Sequence, residues 1–141
     1  MINAFNELSY DDISIGQQES FMIKITESMV EKFSKLSGDL NPLHMDNEFA
    51  ESSSFKKRIV HGMLLASFFS QLIGMKLPGK NALYFSQTLN FRSPCYIDDK
   101  IEIIGEVIEK SDSTKIITIS TSIFNKSKTC LIDGIAKIIV K

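Results

Sequence analysis

From His61 to Met75 the chain can wind into a helix with apolar side chains on every face, including Met63, Leu64, Leu65, Phe68, Phe69, Leu72 and Ile73. A helix that is hydrophobic all round has to be enclosed by other elements. The run is too short to cross a bilayer, which takes roughly 20 helical residues, and Ser67, Ser70, Gln71 and Gly74 interrupt it. It reads as a core helix, and the rest of the chain has to supply its cover.

That cover lies mostly downstream. After Leu77-Pro78-Gly79 the composition turns to Ile, Val, Thr and aromatics, giving strand candidates over Ala82 to Phe91, Ile101 to Ile108, Lys115 to Phe124 and Leu131 to Val140. The separators Ser93-Pro94, Asp98-Asp99, Ser111-Asp112-Ser113 and Asn125-Lys126-Ser127-Lys128 suit meander connections. No helix-length crossover divides these strands. The class predicted is α+β, with a curved antiparallel sheet wrapped around one central helix.

Upstream, Glu19 to Ile25 alternates Phe21, Ile23 and Ile25 against Ser20, Met22 and Lys24, as a half-buried strand does. Thr26 then fits a helix N-cap, Met29, Val30, Phe33 and Leu36 follow at helical spacing, Ile25 and Val30 can form a hydrophobic staple, and Gly38 supplies a left-handed stop. Directly after that stop comes Asp39-Leu40-Asn41-Pro42-Leu43-His44. Pro42 restricts Asn41 to extended or turn geometry, so the segment is expected to be a rigid turn rather than a helix. A short helical piece over Asn47 to Ser53 follows, and then Lys56-Lys57-Arg58, three cations expected to be mostly solvated.

The chain has 141 residues, 43% of them hydrophobic, enough for the core of one domain spanning 1–141. Its net charge of -1 is spread over mixed Lys and Glu, which argues against a nucleic-acid partner. Met1 to Glu7 lacks a basic start followed by an apolar run, so no secretory signal is read there, no membrane partner is expected and the expected location is cytoplasmic. Cys95 and Cys130 lack the close spacing of a zinc site or redox pair and are assigned no chemistry.

The acid-x-Asn-Pro-x-His turn, followed by Ile59-Val60-His61-Gly62-Met63 and later by Asn90-Phe91-Arg92-Ser93-Pro94, resembles the MaoC-like dehydratase group of hot-dog fold proteins, especially the R-specific enoyl-CoA hydratases. The resemblance runs from about Ser14 to Val140. It implies reversible syn addition of water to a trans-2-enoyl thioester, giving an (R)-3-hydroxyacyl thioester. It further implies a homodimer or higher homo-oligomer, with coenzyme A or acyl carrier protein entering as part of the substrate. No metal or organic cofactor is expected. Position by position, Asp39 and His44 match the catalytic acid/base pair, Gly62 the amide that binds the thioester carbonyl, and Ser70 a supporting polar residue. Asn41 and Pro42 read as the supporting turn. His61 is expected to shape the helix start and is left outside the catalytic set.

Elementary chemistry agrees with those roles. A carboxylate and an imidazole gripping one water can divide its deprotonation from proton delivery to the neighbouring carbon. An amide at a helix N-terminus faces the enolate charge that develops on the thioester oxygen with the positive end of the helix dipole, and glycine lets the ligand approach closely. Two rivals remain at this point: an acyl-CoA thioesterase in which Asp39 activates water against the carbonyl, and a non-catalytic acyl-thioester-binding subunit. The resembling proteins often carry proline where this chain has Arg58 and glycine where it has Asp98, departures that bear on loop shape and carrier contacts.

Overall fold

The computed structural model describes residues 4–141, so the reading of Met1 to Glu7 falls partly outside the described residues. The strands are β1 (Gln18–Lys24), β2 (Ala82–Gln87), β3 (Asn90–Phe91), β4 (Lys100–Ser111), β5 (Ile116–Asn125) and β6 (Cys130–Val140). They form one sheet in the order β1-β4-β5-β6-β2, with β3 also paired to β6, and the pairings are antiparallel. The predicted strand over Ala82 to Phe91 is divided between β2 and β3.

The meander holds for β4, β5 and β6, but β2 lies beyond β6 rather than beside β4. This corrects the expectation of a meander through all four downstream strands. The residues between β3 and β4 carry the chain from one side of the sheet to the other. On the way Cys95 O accepts from Val60 N–H at 2.7 Å, and Asp98 and Asp99 exchange backbone bonds with Ile25 at 2.7 and 2.9 Å. A short separator limits the distance between strand ends; it does not choose which edge the next strand joins.

The helix α1 (Glu27–Ser37) begins and ends where its sequence signals stand. Thr26 Oγ1 accepts from Met29 N–H at 3.2 Å, which satisfies one of the donors a helix start leaves free. Ile25 and Val30, the two staple residues, are both fully buried. Gly38 has φ 80°, and its N–H donates to Ser34 O at 2.9 Å.

Helix α4 (Gly62–Gln71) passes into a π-helical turn over Leu72–Lys76. Leu64, Leu65, Phe69 and Leu72 pack with Ile101, Ile103, Ile123 and Leu131 in one buried cluster; Ile73 and Leu77 join Val107, Ile117, Ile119 and Ile138 in a second. Register shifts at Val107/Glu109, Ile123/Phe124 and Tyr84/Ser86 are bulges of the kind that bend strands, and they help the sheet curve around the helix. The enclosure is incomplete, contrary to the apolar-all-round reading: Met63 is 57% exposed, and Ser67, Ser70, Gln71 and Gly74 are exposed as well. Their spacing places these five on one stripe of the helix. Among the described residues no helix is long and apolar enough to cross a membrane.

Candidate active site

The left-handed Gly38 releases the chain from α1 directly into Asp39. The Asp39 N–H donates to Ser37 Oγ at 3.1 Å, and its Oδ1 accepts from Asn41 N–H at 3.2 Å. Asn41 Oδ1 accepts in turn from Leu43 N–H at 2.9 Å and caps a single helical turn, α2 (Pro42–Met45). The expectation of a non-helical turn is corrected here. Pro42 occupies the first helical position, where a missing N–H breaks no intrahelical bond and a fixed φ suits the helix. Asp46 then caps α3 (Asn47–Ser52), the short helix expected there.

Within this turn His44 points its Nδ1 at Ile59 O, 2.7 Å away. A carbonyl oxygen only accepts, so Nδ1 carries a proton, and Nε2 is the nitrogen left to face Asp39. That Nε2 lies 3.9 Å from Asp39 Oδ2, the His44 side chain 15% exposed and the Asp39 side chain 50% exposed. The gap is too long for a direct hydrogen bond. It is the base of a triangle whose apex, about 2.8 Å from both atoms, suits a water oxygen.

Arg58 departs most from its sequence reading. Instead of being solvated it is 8% exposed, its Nε donating to His44 O at 2.6 Å and its Nη1 to Glu27 Oε1 at 2.9 Å. Lys56 and Lys57 are exposed, as expected. One buried guanidinium therefore ties the start of α1 to the backbone of the histidine turn. Its partners lie 31 and 14 residues away in sequence, and no local pattern announces them.

Gly62 opens α4, so its N–H belongs to a first helical turn whose amides have no intrahelical acceptor. A Cβ at this position would lie 2.6 Å from the Phe91 ring, so any other residue there requires that ring to shift. Beside it is a cleft of about 360 Å³, lined by residues that include Ile59, Gly62, Leu65, Phe91 and Leu131; Asp39 and His44 do not line it. A larger, more polar cavity of about 640 Å³ is lined by Glu27, Lys56, Lys57, Arg58 and Tyr96 among others. It contains no acid/base pair, so size alone does not identify the site. Among the described residues Ser70 makes no side-chain hydrogen bond to Asp39 or His44. It is exposed, on the open stripe of α4, about 12 Å along the axis from Gly62 at 1.5 Å per residue.

A second histidine also reaches the pair. His61 Nε2 lies 3.0 Å from Asp39 O, and its ring lies against that of His44, centroids 4.0 Å apart and planes at 30°. Its position before Gly62 was legible in the sequence; its reach to Asp39, 22 residues away, was not. Donor atoms of Asp39, His44 and His61 lie within 4.8 Å of one another, near enough to hold a metal ion by distance. Of these atoms His61 Nε2 is already engaged with the Asp39 carbonyl. Cys95 offers no nucleophile, since burial, aided by Asp99, pushes its thiol up to about 12.

A curved antiparallel sheet wrapped around a central helix defines a hot-dog fold. Residues 13–127 match the MaoC like domain, and the chain belongs to that family. It is 37% identical over 127 residues to the (R)-specific enoyl-CoA hydratase of Aeromonas caviae, covering 90% of this chain and 95% of that one. To the 3-hydroxybutyryl-CoA dehydratase of Methylorubrum extorquens it is 39% identical over 109 residues, 77% of this chain and 69% of that one. The unliganded R-hydratase of Pseudomonas aeruginosa superposes with a TM-score of 0.92 at 33% identity, covering 96% of this chain and 87% of that one.

Proposed function

We propose that this chain catalyses the (R)-specific, reversible hydration of trans-2-enoyl thioesters, with Asp39 and His44 as its acid/base pair. The observation that carries this reading is the 3.9 Å separation of Asp39 Oδ2 and His44 Nε2. The pair can hold one water by both its hydrogens. His44 Nε2 takes a proton from that water as its oxygen bonds to C3 of the substrate, while Asp39 accepts the second O–H and orients the attack. Electron density moves onto the thioester oxygen, where the Gly62 amide and the α4 dipole stabilise it. The imidazolium then returns the proton to C2 on the same face, so the addition is syn and His44 ends neutral. This sequence needs no metal or organic cofactor.

The thioester carrier is coenzyme A or acyl carrier protein, and the working location is the cytoplasm. The working form is a homodimer or higher homo-oligomer. Support for association comes from the edge strand β2, which exposes Leu83 and Phe85, together with the nearby Phe91 and with Met63 on α4. An unpaired apolar edge left open to solvent invites aggregation, and a second copy would cover it. Ser70 lies on the same open stripe as Met63 and is the supporting polar residue of the site.

The test is loss of the conjugated enoyl absorbance of crotonyl-CoA with chiral analysis of the product. Formation of the R alcohol, abolished in Asp39→Asn and in His44→Ala, is the expected result. Release of free CoA from a saturated acyl-CoA would favour the thioesterase, and no turnover at any chain length would favour the binding subunit.

A further inference from the structure

Nothing in the proposed chemistry uses His61, although it touches both members of the pair and is only 2% exposed. Its Nε2 faces Asp39 O, so that nitrogen carries the proton and Nδ1 is a bare lone pair. Nδ1 is buried and has no hydrogen-bond partner among the described residues. A second proton would therefore create a buried N–H without an acceptor, next to another imidazole. Burial first, and then the neighbouring His44, hold the His61 pKa below the ordinary histidine value, against the opposing pull of the Asp39 carbonyl. The ring is a neutral plate with one donor, held from another side by Phe33, whose ring centroid is 5.0 Å away.

Asp39 needs such support. It is exposed, and its other hydrogen bonds are local ones, to Ser37 and Asn41 within the same surface segment. The His61 bond to its carbonyl ties that segment to the buried start of α4. His44 is fixed at one ring nitrogen by Ile59 O, which leaves the tilt of the ring about that bond to be set by whatever lies against its face. That face meets His61.

We infer that His61 is a positioning residue for hydration: its Nε2–H sets the backbone from which the Asp39 carboxylate projects, and its ring sets the plane of His44. The inference rests on the hydratase reading for its consequence in rate, and on geometry alone for its consequence at His44.

Two substitutions separate the two contacts. His61→Gln keeps an amide donor in place of Nε2–H and loses the ring; His61→Phe keeps a ring and loses the donor. With crotonyl-CoA each is expected to lower kcat by about 10–100-fold, the scale of a small misplacement of reacting groups, while KM moves little. Added to His44→Ala, His61→Gln should cost almost nothing more, because it keeps the donor to Asp39 and the ring that the imidazole positions is gone. The chain has two histidines, so their ring NMR signals can be assigned from the single variants. The His44 ring signals should move in His61→Gln and less in His61→Phe. Native kcat in both variants, or a fall only in proportion to the folded fraction, would overturn the inference. If the native chain fails to hydrate crotonyl-CoA, the hydratase reading falls, and the NMR arm decides the geometry: unchanged His44 signals in both variants would overturn it.

Discussion

The sheet and its helix are held together differently from the segment that carries Asp39 and His44. Between β4, β5, β6 and α4 the contacts are many and interchangeable: Ile103, Ile117, Ile119, Ile123 and Leu131 are fully buried, and no single one fixes the topology. From Asp39 to His61 the chain is mostly surface segment with two short helices, secured by a few directional bonds. They include the Arg58 bond to His44 O, the His44 bond to Ile59 O and the His61 bond to Asp39 O. Area-based burial tolerates small shifts. A hydrogen bond of 2.6 or 2.7 Å fixes two atoms relative to each other and is lost with one substitution. Stability should therefore reside in the first region and activity in the second, each separable from the other.

The sharpest separation is expected from Asp39→Asn, which loosens the grip on the attacking water and should lower kcat by about 10²-fold or more, the scale of a misplaced reacting group. The urea midpoint should hardly change, because Asp39 is exposed. A large loss of stability in that variant would break the comparison from one side. From the other side, Ile119→Ala removes a fully buried side chain from the second core cluster. It should cost about 2–5 kcal/mol of unfolding free energy, with kcat per folded molecule retained at low temperature.

Arg58→Ala tests the seam between the regions. It leaves His44 O without its side-chain donor, and Glu27 without its partner. A destabilisation of about 1–3 kcal/mol is expected, together with a fall in kcat, seen by denaturant titration and steady-state assay on the same sample. Stability lost without any change in rate would show that the guanidinium braces α1 and not the histidine turn. Thr26→Ala removes only the cap of α1 and should cost about 1 kcal/mol without affecting rate.

The smallest effect is a pH dependence. As pH falls below the ordinary histidine value of 6.5, an unfolded chain takes up a proton at residue 61 that the folded one resists. Unfolded molecules then bind more protons, and stability falls with pH until His61 itself is protonated in the fold. The difference between native and His61→Phe melting curves, followed downward from neutral pH, isolates this contribution; parallel curves would remove it.

The sequence by itself determined what local pattern can specify. The α+β class followed from an apolar helix followed by Ile- and Val-rich runs; Thr26, Ile25, Val30 and Gly38 set the ends of α1; and the Asp39 to His44 spacing with Gly62 beyond it carried the family resemblance. These signals act within a few residues, through capping, alternation and backbone restriction. The open stripe of α4 follows the helical spacing of Ser67, Ser70, Gln71 and Gly74, which the apolar-all-round reading of the helix passed over. Only the tertiary structure decided that β2 joins the far edge beside β6, that Arg58 is buried against His44 O, and that His61 meets both members of the pair. Each of these depends on which distant segments share a volume after folding. That outcome is set by the packing of the whole sheet around α4, and no stretch of neighbouring residues contains it.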